Sequence, residues 1–238
     1  MLVSAAVCPH PPLLVPELAG QTAAELDDLR AACLGAVDAV RATEPELLVV
    51  VGAGDETRRH PAGTRGSFAS YGVDLDVALP GDEAPDGDGH DLPLALAVGA
   101  WLLSESGWTG RVGGLEVDGA ASTTECRSLG AAVAQEADRV GLLVMGDGSA
   151  RRSTEAPGYL DPRAETFDAS VVEALRAGDP AGLLAIGPDL ARDLQAAGRA
   201  AWQVLAGASA EVLFDAEVVY DAAPYGVGYV VAVWERHG

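Results

Sequence analysis

The run Cys8-Pro9-His10-Pro11-Pro12 concentrates more potential chemistry than any other stretch of this chain. Prolines on both sides of His10 restrict the backbone and hold its imidazole in one orientation, as a metal ligand or an acid/base group requires. The same prolines also suffice to turn the chain after a strand with the imidazole packed beneath them. On these five residues alone both readings stand. A nucleophilic role for Cys8 would need a base and an orienting third group; none is identifiable, so a thiol packed at a strand end is expected.

A second polar loop reads Gly146-Asp147-Gly148-Ser149-Ala150-Arg151. Ser149 lacks the G-x-S-x-G elbow of a serine hydrolase, and its hydroxyl is expected to cap or turn the loop. Arg151 and Arg152 are the paired cations of this region, suited to a carboxylate or phosphate of a small ligand and equally to surface pairing with the abundant acids. A third loop, Gly52-Ala53-Gly54-Asp55, presents a carboxylate after an apolar run, a place where Asp commonly caps or turns the chain. His90 precedes another apolar run, while His60, in an Arg-rich stretch, and His237, next to the final residue, are expected to be solvated.

The elements that must position these loops follow from periodicity. Leu2 to Val7, Leu47 to Val51 and Val140 to Met145 are short apolar runs that read as buried strands, each emptying into one of the polar loops. Val112 to Val117 predicts a further strand, and Val73, Leu75, Val77 and Leu79 alternate with polar residues as in a half-exposed one. Thr22 with Glu25 and Ser122 with Glu125 are capping-box pairs; the first predicts a long amphipathic helix to about Thr43. Leu92 to Leu103 predicts a buried helix, preceded by an acidic surface loop over Pro80 to Asp91. Helices near Ala164 to Ala177 and Pro188 to Ala206 and strands around Glu211 to Tyr220 and Val227 to Trp234 complete the chain. Alternating strands and helices predict an α/β fold: one domain over 1–238, with a mostly parallel central sheet flanked by helices on both faces.

Composition removes several function classes. All 15 basic residues are Arg, so a Schiff-base lysine, a pyridoxal lysine and a phosphate-loop lysine are excluded. A formal net charge of −21 repels phosphate backbones and anionic headgroups, which argues against nucleic acid or a membrane as partner. Three widely spaced cysteines signal neither a disulfide framework nor a structural zinc site. The opening MLVSAAV has no basic region and is too short for a signal segment, so a cytoplasmic chain is expected.

Strand, P-H-P-P loop, long helix, second strand and a later strand opening into G-D-x-S together resemble the class III extradiol dioxygenases, with their LigB-like catalytic chain, and the related Memo proteins. Gly158-Tyr159, Asp161-Pro162-Arg163, Phe167-Asp168 and the closing Tyr225-Gly226-Val227-Gly228-Tyr229 extend the resemblance over nearly the full chain. It implies the α/β fold of the LigB-like catalytic chain and a mononuclear Fe(II) held by two His and one carboxylate, with a further His as acid/base. His10 matches the first ligand. The second imidazole is missing at Gly52-Ala53-Gly54-Asp55, the acid/base His is replaced by Ala150, and Gln195-Ala196-Ala197-Gly198 stands where the Memo branch carries Cys-Gly. His90 matches a His that contacts substrate.

The resemblance therefore implies an eroded Fe(II) site and no ring cleavage. What is expected to remain is a cleft at the strand ends, lined by His10, Asp55, His90, Asp147, Ser149 and Arg151, for a small molecule or a protein partner. The alternative is a divalent-metal enzyme, an oxidoreductase or hydrolase, in which His10 and Asp55 serve as ligands with Asp147 nearby. The cofactor expectation is accordingly none or one divalent ion (Fe, Mn, Mg or Zn). A third reading makes the chain a subunit whose partner completes the site, and a homo-oligomer is among the expected assemblies.

Overall fold

A computed structural model describes residues 1–81, 92–210 and 212–237. The first strand, β1 (Leu2–Cys8), leads through short helical turns, including α1 (Pro16–Ala19), to α2 (Asp27–Ala42) and β2 (Leu47–Gly54). Three short strands follow, β3 (Arg58–His60), β4 (Arg65–Ser67) and β5 (Asp76–Ala78), then α3 (Leu94–Glu105), β6 (Val112–Asp118), α4 (Thr123–Val133) and β7 (Val140–Met145). The last third holds α5 (Ala164–Arg176), α6 (Pro180–Leu184), α7 (Pro188–Asp193), α8 (Arg199–Ala208), β8 (Phe214–Ala222) and β9 (Tyr229–Arg236).

A seven-stranded sheet runs in the order β3-β6-β2-β7-β1-β9-β8. Its centre, β6-β2-β7-β1, is parallel, whereas β3, β9 and β8 join antiparallel, so the sheet is mixed at its flanks. The reason is chain length: helical crossovers return the central strands in parallel, but β8 and β9 are joined by six residues and fold as a hairpin. β4 and β5 form a separate two-stranded ribbon.

The central strands are buried along nearly their whole length, which is why they read as continuous apolar runs instead of alternating ones. Side chains of one parity, among them Val49, Val117, Leu142 and Val144, enter a core with α5 and α8; the other parity, among them Val50, Leu143 and Met145, packs with α2 and α3. Helices thus cover both faces, as expected.

Two local expectations are corrected. Thr22 and Glu25 form no capping box: Thr22 Oγ1 donates to the Ala19 carbonyl, the Glu25 carboxylate accepts from the Tyr225 hydroxyl, and 20–26 is a 3-10 segment before α2 begins at Asp27. The helix expected over Pro188 to Ala206 is two helices, because Gln195 adopts a left-handed φ of 54° and ends α7. The Ser122–Glu125 box is present at the start of α4. The loop expected over Pro80 to Asp91 falls mostly outside the described residues.

Candidate functional site

β1 and β7 are adjacent and parallel, with Cys8 opposite Met145, so the loops that follow them meet at one edge of the sheet. The Gly146 N–H donates to the Cys8 carbonyl at 2.9 Å, and the His10 backbone N–H donates to Asp147 Oδ1 at 2.7 Å. His10 Nδ1 stands 3.6 Å from the same oxygen, with the two side chains 9% and 17% exposed. That separation exceeds a hydrogen bond, and Nδ1 is a buried atom with no partner among the described residues. The prolines around His10 fix the backbone, the backbone fixes Asp147, and the imidazole is left beside a carboxylate without bonding it.

Below and beside this pair lie Cys8 and Cys33, both fully buried and free; burial raises the Cys33 thiol well above its usual range. Tyr229, the first residue of β9, is buried too, and its phenol is pushed far up by burial and then by the charge of Asp147. It therefore stays protonated in the physiological range.

Sequence reasoning named Ser149 and Arg151 as cleft candidates; the structure engages both with neighbouring backbone. Ser149 is fully buried, its hydroxyl donates to the Leu194 carbonyl at 3.0 Å, and the same oxygen accepts the Arg151 N–H at 3.1 Å. It ties the loop to the end of α7, as its turn role anticipated. Arg151 directs its guanidinium at the Asp193 carbonyl (2.9 Å) and the Tyr159 carbonyl (3.4 Å).

Asp168 explains how the loop is held. Its Oδ1 accepts the Ser149 N–H at 2.7 Å and its Oδ2 accepts Arg152 at 3.0 Å. A Cβ on Gly148 or Gly228 would stand 2.7 and 2.3 Å from this carboxylate, so both positions need glycine for close approach. The Gly198 N–H donates to the Asp147 carbonyl at 2.9 Å, which brings the 195–198 turn against the site.

The metal reading meets a misfit. Asp55 is exposed, and its backbone N–H, not its carboxylate, is what the fold uses, donating to Glu116 Oε1 at 3.0 Å. Among the described residues no group of three or more His, Cys, Asp or Glu is placed to hold an ion, so His10, Asp55 and Asp147 do not form a ligand set. His90 lies outside the described residues.

His60, expected to be solvated, is buried instead. Pairing of β3 with β6 turns it inward, where Nε2 lies 3.0 Å from Glu116 Oε2. The other oxygen of Glu116 holds the β2 loop at Asp55, and a Cβ on Gly54 would land 2.0 Å from it. One signal was available beforehand: Glu116 interrupts the apolar run of β6, and a buried carboxylate demands a partner. His237 is exposed and lies 3.0 Å from Asp215.

No described helix is long and apolar enough to cross a membrane. No family model matches the chain, and no curated protein sequence matches it. Among solved structures, the fold is similar to that of uncharacterized protein JW3007 from Escherichia coli K12, with a TM-score of 0.55 and 14% identity, over 98% of this chain and 99% of that one. At that identity the likeness establishes a shared α/β fold.

Proposed function

We propose that this chain is a class III extradiol dioxygenase-like protein that has lost the ferrous ring-cleaving centre and keeps a small-ligand cleft at the ends of β1 and β7. The observation that carries the reading is the buried, unpartnered Nδ1 of His10 beside Asp147. An orphaned polar atom in a folded interior costs stability, and a ligand, an ion or an ordered water is what ordinarily satisfies it. The backbone around it is spent on orientation: Asp147 is anchored by the His10 N–H, and the flanking loop by Asp168. Loss of the second imidazole and of the acid/base His, replaced by Ala150, removes the groups that would bind and activate oxygen and a catechol.

The test is elemental analysis of protein purified without chelators, with titrations of Fe(II), Mn(II) and Zn(II) into wild type and His10→Ala and oxygen-uptake assays on catechols. The expected result is no stoichiometric metal and no catechol-dependent oxygen uptake. Stoichiometric metal that disappears in His10→Ala, together with ring cleavage, would overturn the proposal.

A further inference from the structure

A groove of about 550 Å³ opens at the carboxyl ends of β2 and β6, with no residue of the His10 or Asp147 loops in its lining. Thr57 follows β2, Asp118 ends β6 and Ala121 lies just beyond it, and α4 contributes the face that carries Glu125, Leu129 and Ala132.

Topology places a crevice here. β2 and β6 are parallel neighbours, with Gly54 opposite Asp118. The chain leaving β2 returns through α3, which packs with Val50 and Leu143 on one face of the sheet. The chain leaving β6 enters α4, whose Cys126 and Val133 pack with Val49 and Val117 on the other. Where crossovers from adjacent strands depart to opposite faces, the strand ends between them stay uncovered, and open α/β sheets bind ligands there.

The walls are preformed. The Gly119 N–H donates to the Gly54 carbonyl at 3.1 Å, and the Asp118 N–H donates to Thr57 Oγ1 at 3.1 Å. From beneath, the buried Arg199 donates to the Gly119 and Ala121 carbonyls. Asp118 Oδ1 accepts the Ala120 N–H at 2.7 Å, and Glu125 Oε2 accepts the Ser122 N–H at 2.8 Å. Each carboxylate is thus anchored by one oxygen, while Asp118 Oδ2 and Glu125 Oε1 have no partner among the described residues.

Charge selects the occupant. The lining holds two carboxylates and neither Arg nor His. Hydrogen bonds from Ser122 hold the Glu125 carboxyl below its usual range, so it is ionised at neutral pH. Ala121 and Leu129, which rest on the core, form an apolar wall with Ala132. The net charge of −21 adds a field of the same sign as the carboxylates.

We propose that this groove binds a small organic cation, an aliphatic or alicyclic ammonium whose hydrocarbon lies on Leu129 and Ala132 and whose nitrogen pairs with the free oxygens of Asp118 and Glu125. The site makes no use of His10, so it and the cleft at β1 and β7 succeed or fail separately.

The probes are cyclohexylammonium, cyclohexanol and cyclohexanecarboxylate, matched in shape and differing in charge. They are titrated into the full nitrogen-15-labelled chain at about 0.15 M salt, where a Debye length of about 8 Å screens diffuse attraction. Expected is a saturable shift of the amides of 118–132 with the ammonium, a weaker one with the alcohol and none with the carboxylate. Asp118→Asn keeps an oxygen for the Ala120 N–H and is expected to weaken ammonium binding about threefold or more. Ala132→Phe, at an exposed helix position, fills the groove without changing any charge and is expected to abolish the shift. Alcohol or carboxylate binding as tightly as the ammonium overturns the charge assignment. Ammonium shifts that Ala132→Phe leaves unchanged, or that scatter over the acidic surface, overturn the site and leave attraction to the net charge alone. No saturable shift with any probe on wild type also overturns it, whatever the variants do.

Discussion

Burial of a carboxylate raises its pKa unless donors compensate, and at Asp168 they compensate only in part. Burial pushes it above 3.8, while the Ser149 N–H and Arg152 pull it back. The sign of the pH effect follows. A carboxyl whose folded pKa exceeds its unfolded one contributes most to stability when protonated, and that contribution falls as pH rises from 3.8 through the folded value. Asp168→Asn removes this dependence. Urea midpoints measured between pH 7 and 4 are therefore expected to move in favour of wild type, relative to Asp168→Asn, as pH falls. Legibility at this scale was uneven. His10 and Asp147 stood out because prolines and glycines mark them within a few residues, whereas His60 was misread because its neighbours Arg58 and Arg59 are polar and its partner lies 56 residues away.

At the scale of elements, α4 and α8 cross with backbone against backbone. A Cβ on Gly130 would stand 2.0 Å from the Val204 carbonyl, and one on Gly207 would stand 2.2 Å from the Arg127 carbonyl. Neither obstacle is a flexible side chain, so the helices must separate to admit a methyl group. Gly130→Ala and Gly207→Ala are each expected to cost about 1–3 kcal/mol, offsetting any gain in helix propensity. Because both act on one crossing, the double variant is expected to be less than additive in urea unfolding. The two capping-box patterns make the related lesson. Ser122–Glu125 caps α4 because nothing competes for its groups, whereas the Glu25 carboxylate is taken by Tyr225, 200 residues along the chain.

For the whole molecule, a charge of −21 on 238 residues is a self-repulsion that the fold must withstand. Acids decorate even the exposed edge: Asp215, Glu217 and Asp221 lie along β8, where they oppose edge-to-edge pairing with another sheet. Screening relieves such repulsion, since the Debye length falls from about 30 Å at 0.01 M salt to about 3 Å at 1 M. Thermal unfolding is therefore expected to rise in midpoint as sodium chloride is added over that range. An unchanged or falling midpoint would show that surface ion pairs such as Arg163 with Asp161 outweigh the net charge.

The sequence by itself determined the α/β class, the central strands and the loops that carry His10 and Asp147, because burial on both faces writes apolar runs that are local in the chain. Only the tertiary structure decided that Ser149 is enclosed, that Arg151 serves carbonyls, that Glu116 and His60 pair, and that Asp55 joins no ligand set. It also decided that the His10 backbone N–H bonds Asp147, 137 residues away, while the imidazole stands 3.6 Å from the same oxygen. These outcomes depend on strand order and on which side chains compete for the same partner, and neither quantity has a period in the sequence.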